Sequence, residues 1–213
     1  MGKIFAIGDV HGCLVKLMTM MERLKVDSDT DTLVFVGDYI DRGPDSRGVV
    51  DFILHLRSAL HHVVCLLGNH EQMLLNYYLL GRDRELYFLN GGLATIRSYG
   101  RVETPEGLKV DIPDEHLAFF RSLVPYYETD DYIFVHAGLR PGIPLDAQTL
   151  DDLLWIRYDF IHSRQDFEKI VVFGHTPLLK PLIEHNKIGI DTGACYGRQL
   201  TCIVLPEMKV IQV

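Results

Sequence analysis

Six short clusters carry the side chains that could do chemistry: GDVHG (8–12), GDYIDRG (37–43), GNHE (68–71), HAG (136–138), GHT (174–176) and DTG (191–193). The first five hold Asp9, His11, Asp38, Asp41, Arg42, Asn69, His70, His136 and His175, with oxygen and imidazole donors and no thiolate. Such a set suits Mn2+, Fe, Mg2+ or Zn2+ and speaks against an iron–sulfur cluster or a four-cysteine zinc site. Asp9 and His11 are two apart, so in extended chain both face the same way and can share one ion. The roster exceeds what one ion needs. Two ions about 3.5–4 Å apart, bridged by a carboxylate, would use it up. A pair at that separation lowers the pKa of a water held between them and clamps the oxygens of an in-line displacement. A phosphorus ester is the partner such a pair fits, and Arg42 adds a guanidinium fork for its oxygens.

Each cluster follows directly on an apolar, β-rich run: KIFAI, TLVFV, VVCLL, YIFV, IVVF and IGI. Short continuous apolar runs predict strands buried on both faces. Between them, Leu14, Leu17, Met18, Met21 and Leu24, and then Val49, Phe52, Ile53 and Leu56, fall at spacings of three and four. Those stripes predict helices laid on a sheet. Residues 114–124 predict a further short helix, with Asp114 as N-cap and Pro125 ending it. Residues 82–113, richer in glycine and turn formers, read as a surface excursion on a single domain spanning 1–213. Strands alternating with helices imply a layered α/β architecture, and open α/β sheets bind ligands at the carboxyl ends of their strands. All six clusters sit at such ends.

Composition narrows the class further. The chain's 213 residues include 21 basic and 29 acidic side chains, for a net charge of −8, which argues against general nucleic-acid affinity. No apolar run approaches the roughly 20 residues that span a bilayer. The N-terminal apolar stretch enters glycine and aspartate at once and does not read as a signal peptide. The expectation is a cytoplasmic monomer with no nucleic-acid or membrane partner. Its four cysteines (Cys13, Cys65, Cys195 and Cys202) read as free thiols in a reducing compartment. His55, His61, His62, His116, His162 and His185 read as surface or packing residues, and Asp191 as a brace for the outer loop of the site. The Tyr77–Tyr78 and Tyr126–Tyr127 pairs read as packing or groove wall.

Taken in order, the clusters resemble the metal-dependent phosphoprotein phosphatase family, within the wider calcineurin-like metallophosphoesterases. GNHEQM (68–73), FGHTPLLKPL (173–182) and IDTGA (190–194) are similar to the branch that holds phage lambda phosphatase and bacterial serine/threonine phosphatases. The resemblance implies a metallophosphoesterase sandwich of central mixed β-sheets flanked by helices. It also implies two divalent ions, Mn2+ being expected and Fe or Zn2+ the alternatives. By this likeness Asp9, His11 and Asp38 hold the first ion, Asp38 bridges, and Asn69, His136 and His175 complete the second. His70 matches the residue that protonates the leaving oxygen, and Asp41 its carboxylate partner. Arg42, Asn69 and Arg157 match phosphate-binding positions. The implied reaction is hydrolysis of phosphomonoesters by in-line attack of a bridging hydroxide. Its expected substrate is phosphoserine or phosphothreonine in proteins, extending to phosphotyrosine and small phosphoesters. Two alternatives stand beside it: a symmetrical dinucleoside tetraphosphate hydrolase and a non-catalytic metal-binding scaffold. Asp41, commonly missing from the dinucleotide branch, favours the phosphatase; the complete ligand set and His70 disfavour the scaffold. HAG departs from the HGG usual in eukaryotic members.

Overall fold

The apolar runs become strands. In the computed structural model of the protein, which describes residues 2–104 and 107–213, Ile4–Ile7 (β1), Thr32–Phe35 (β2) and Val63–Cys65 (β3) run parallel, side by side. Leu14–Arg23 (α1) and Ser46–Ala59 (α2) are the crossovers between them. Asn69–Leu80 (α3) follows β3. The segment after it forms two short helices, Arg84–Leu89 (α4) and Gly92–Tyr99 (α5), and a hairpin of Arg101–Thr104 (β4) and Gly107–Val110 (β5). Asp114–Arg121 (α6) completes this half. The second half comprises Tyr126–Glu128 (β6), Tyr132–Val135 (β7), Leu150–Trp155 (α7), Tyr158–Ile161 (α8), Ile170–Phe173 (β8), Leu182–Ile183 (β9) and Lys187–Gly189 (β10). Thr201–Leu205 (β11) and Lys209–Gln212 (β12) return to the first sheet.

The first sheet has the order β12-β11-β1-β2-β3 and the second β6-β7-β8-β10-β9. In the first, β1, β2 and β3 are parallel and β11 and β12 antiparallel to their neighbours; in the second, a parallel centre lies between antiparallel edge pairings, so both are mixed. Alternate residues divide the strands between two cores. Ala6, Val34, Ile203 and Leu205 of the first sheet meet Phe134, Val172 and Ile188 of the second. Their neighbours Phe5, Ile7, Leu33 and Phe35 face the other way, into a core with Leu17 and Met20 of α1 and Val49 and Ile53 of α2. On the outer face of the second sheet, Ile133, Val135, Val171 and Phe173 cluster with Leu153 of α7 and Phe160 of α8. The layers are therefore helix, sheet, sheet, helix. Covering both faces of each sheet is what makes its strands read as unbroken apolar runs. Each fully buried side chain of this kind contributes about 1.5–3 kcal/mol.

Two local readings are corrected. Asp114 does not cap its helix: Pro113 occupies that position, with φ −54° and ψ 145°, and Asp114 takes the first helical turn. A carboxylate there is favoured by the helix dipole without a capping bond. The helix ends at Arg121, with Ser122 at its C-cap, short of residue 124 and well before Pro125. Asp45, not singled out from the sequence, is the N-cap of α2, accepting the Gly48 N–H at 2.8 Å.

Segment 82–113 lays α4 against α3 and α5 against α2. It buries Tyr87, Thr95, Ile96 and Tyr99. His116 is a packing histidine, 2.7 Å from the Tyr99 hydroxyl and 3.0 Å from Asp51. All four cysteines are free. Among the described residues, no helix is long and apolar enough to cross a membrane.

Candidate active site

Both parallel centres deliver their carboxyl ends to the same place. β1 leads through Gly8 to Asp9, β2 through Gly37 to Asp38, β7 directly to His136, and β8 through Gly174 to His175. Asn69 and His70 open α3 just beyond β3. A Cβ on Gly37 would lie 2.8 Å from the His136 ring and 2.9 Å from the Gly68 backbone, so only glycine lets the sheets close here. Five non-glycine residues of the site are left-handed: His11 (φ 44°), Asp38 (54°), Asp41 (70°), Arg42 (64°) and His175 (63°). Each such conformation costs on the order of 1–3 kcal/mol and persists only where its surroundings enforce it.

Glu71 does much of the enforcing. Its buried carboxylate accepts backbone N–H groups from Asp38 (3.0 Å), Tyr39 (2.8 Å), Ile40 (3.3 Å) and Gly68 (3.1 Å). The loop after β2 is thereby tied to the start of α3. The Asp38 carbonyl in turn accepts the Val10 and His11 N–H groups at 3.1 and 2.8 Å, joining the β1 loop to the same frame.

Imidazole orientation follows from carbonyls. His11 Nδ1 donates to Ile40 at 2.7 Å, which turns the Nε2 lone pair inward, 3.3 Å from Asp38 Oδ2. His136 Nδ1 donates to Val36 at 2.9 Å, and its Nε2 lies 2.9 Å from Asn69 Oδ1 and 3.4 Å from Asp38 Oδ1. His175 Nδ1 sits 3.0 Å from the same Asn69 oxygen. Asp9 Oδ2 accepts the His175 N–H at 2.9 Å, while Asp9 Oδ1 and His175 Nε2 are buried without a partner. Lone pairs therefore face lone pairs around Asp38, an arrangement that costs free energy unless cations lie between them. The donor atoms form two overlapping groups, His11–Asp38–His70 and Asp38–His136–His175, each within 4.8 Å. The residues fit a pair of divalent ions. Asp38, common to both groups, could bridge, with His11 and Asp9 on one side and Asn69, His136 and His175 on the other.

Burial also prepares the donors. It pushes the His11 imidazole down to about 3 and that of His175 to about 2, and it lowers His136. All three rings are thus neutral, as metal ligands must be. Burial, then Asp191, then Asp38 push Asp9 well up, and burial lifts Asp191 to about 6. Crowded carboxylates of this kind lose proton affinity when a cation arrives. Asp191 also accepts the Gly193 N–H at 2.9 Å, bracing its own turn.

His70 is oriented differently. Its Nδ1 lies 2.6 Å from Asp41 Oδ2, both side chains are fully buried, and Nε2 has no hydrogen-bond partner. That nitrogen faces Asp38 at 3.9 Å, with the His11 ring edge-on at 4.6 Å. Arg42 rests over the Tyr196 ring at 5.7 Å and brings Nη1 to 2.6 Å from His11 Nε2. Arg157 reaches the rim, 3.4 Å from the His175 carbonyl, and Trp155 stands edge-on to that imidazole at 6.0 Å. All ten residues singled out from the sequence thus converge. Reading the sequence missed Glu71, Tyr87 and Thr95. Glu71 offered a signal, a carboxylate at the third position of a helix start, where it can reach back to backbone donors. Tyr87 and Thr95 offered none.

The comparisons agree with this geometry. Residues 2–203 match the family model described as calcineurin-like phosphoesterase. The asymmetrical bis(5'-nucleosyl)-tetraphosphatase PrpE of Anoxybacillus flavithermus is 28% identical over 232 residues, covering 97% of this chain and 92% of that protein. The crystal structure of a putative diadenosine tetraphosphatase superposes with a TM-score of 0.77 at 25% identity, covering 100% of this chain and 93% of that one. A cold-active protein-tyrosine phosphatase from a psychrophilic Shewanella shares the fold, with a TM-score of 0.67 at 23% identity over 100% of this chain and 77% of that one. With strand-end donors, a mixed double sheet and a match across nearly its whole length, the chain belongs to the calcineurin-like phosphoesterases, hydrolases of phosphoesters that depend on a binuclear metal site.

Proposed function

We propose that the chain hydrolyses dinucleoside tetraphosphates, breaking an internal phosphoanhydride bond and transferring a nucleotidyl group to water. The observation that carries phosphoester hydrolysis is His70, held by Asp41 through Nδ1 while its Nε2 faces the lone-pair cluster around Asp38. Two divalent ions, when bound, supply positive charge to the phosphoryl oxygens and lower the pKa of water. Arg42 and Arg157 bind the remaining oxygens and stabilise charge as it spreads in the transition state. As the water oxygen bonds to phosphorus, the bond to the leaving oxygen breaks, and His70 Nε2 gives that oxygen its proton. General-acid help of this kind is worth roughly 10²–10⁴-fold.

The choice of substrate is supported by the relatives' names, which come from proteins matched over 97% of this chain. They support the dinucleotide over the phosphoprotein that the sequence ranked first, and the relatives named are asymmetrical hydrolases where the sequence suggested symmetrical cleavage. Asp41 holds His70 ready for any leaving group that needs a proton. Phosphoprotein hydrolysis is a second reading, favoured by the same dyad: a serine alkoxide is a poor leaving group and needs the proton most. The test is kcat/KM on Mn2+-reloaded protein with diadenosine tetraphosphate, a phosphoserine peptide and a phosphotyrosine peptide. A preference for the dinucleotide, giving ATP and AMP, is expected. Two ADP per turnover would mean symmetrical cleavage, and a tenfold preference for either peptide would establish the second reading.

A further inference from the structure

The excursion between α3 and α6 places two hydroxyl groups on the far side of Asp41. Tyr87 of α4 donates to Asp41 Oδ1 at 3.0 Å, and Thr95 of α5 donates to the same oxygen at 2.5 Å. The other carboxylate oxygen receives His70 Nδ1 at 2.6 Å. The Asp41 N–H is shared between Ser46 Oγ (3.0 Å) and Thr95 Oγ1 (2.9 Å). Thr95 Oγ1 also lies 3.0 Å from Ser46 Oγ, which completes the cluster of hydroxyls around this end of Asp41. The Tyr87 and Thr95 hydroxyls thus both donate to the carboxylate, and each bond to an ion is worth roughly twice a neutral one.

Tyr87 has no freedom to do otherwise. It is completely buried and stacks on Tyr77 at 5.3 Å. Burial raises its phenol well above its ordinary value, so it stays a donor. Gly91 and Gly92 let the turn between α4 and α5 press inward: a Cβ on Gly92 would fall 2.6 Å from the Tyr87 ring, and one on Gly91 2.8 Å from Arg42 Cγ. Neither hydroxyl touches the lone-pair cluster around Asp38. Both reach the chemistry only through Asp41 and His70.

We infer that Tyr87 and Thr95 are positioning residues for proton donation: by fixing the Asp41 carboxylate they aim His70 Nε2 at the leaving oxygen. The inference rests on reading His70 as the proton donor. A group that acts only through a proton donor matters in proportion to the leaving group's need for that proton. Phenyl phosphate releases a phenolate with a conjugate acid near pKa 10 and needs it; 2,4-dinitrophenyl phosphate releases a stable anion and needs it little.

The experiment compares kcat on these two esters for Mn2+-reloaded wild type, Tyr87→Phe, Thr95→Val, Thr95→Ser and His70→Asn. Bound metal and thermal midpoint are recorded for each. Tyr87→Phe and Thr95→Val are expected to lose about tenfold more on phenyl phosphate than on the dinitrophenyl ester while keeping two metals per chain. Thr95→Ser, which keeps the hydroxyl, should restore most of that difference. Equal losses on both esters for Tyr87→Phe and Thr95→Val, with His70→Asn still selective, would overturn the inference alone. Equal losses in His70→Asn as well would overturn the reading of His70 and the inference with it.

Discussion

Asp38 reaches toward His11 with one oxygen and toward His136 with the other, at 3.3 and 3.4 Å. His70 lies close to the same oxygens, yet its second nitrogen is tied to a carboxylate where the second nitrogens of His11 and His136 are tied to backbone carbonyls. On the proposed reading His70 gives a proton while His11 and His136 hold metal. Asp38→Asn should therefore strip or unbalance both ions, and normal occupancy of two ions would exclude a bridge. His70→Asn should keep both ions and lose most turnover, whereas lost metal would make it a ligand. Metal analysis on the two proteins decides each case. At this scale the sequence was readable wherever a residue's place is set by its own motif, as for Asp9 or His175 at the ends of their strands. It was not readable for Glu71, whose four backbone donors include three from a loop some thirty residues earlier. Only the fold brings those groups within reach.

Strands and long helices were legible because burial imposes period and length on them. The runs ending at Ile7, Phe35 and Phe173, and the stripes on α1 and α2, needed no tertiary information. α4 and α5 were not, since six and eight residues with glycines at their junction give no period to count. Their form comes from what they lean on. Replacing Gly92 with Ala tests this. Helix propensity favours Ala by roughly 0.5–1 kcal/mol. The new methyl, however, would meet a packed tyrosine ring at 2.6 Å. Overpacking of that kind costs about 1–3 kcal/mol, so steric conflict wins. Gly92→Ala should lower the thermal midpoint and shift activity in the direction of Tyr87→Phe. A raised midpoint would show that the ring gives way freely.

Seen whole, the layers meet along two surfaces of different kind. Over most of their length the two sheets touch through apolar side chains such as Ala6, Val34, Phe134 and Val172. At their carboxyl ends that contact gives way to the donor cluster, with Asp9 and Asp38 from one sheet and His136 and His175 from the other. Ions binding there would hold both sheets at once and add about 2.7 kcal/mol of stability at a hundred times their dissociation constant. A chelator should then do more than stop turnover. Amide exchange should quicken together at the ends of β1, β2, β7 and β8 while their opposite ends stay protected. Quickening confined to one sheet would mean the ions lean on that sheet alone. The metals would otherwise act as rivets along a seam, and a cell short of metal would hold a protein that is inactive and also easier to prise open for a protease.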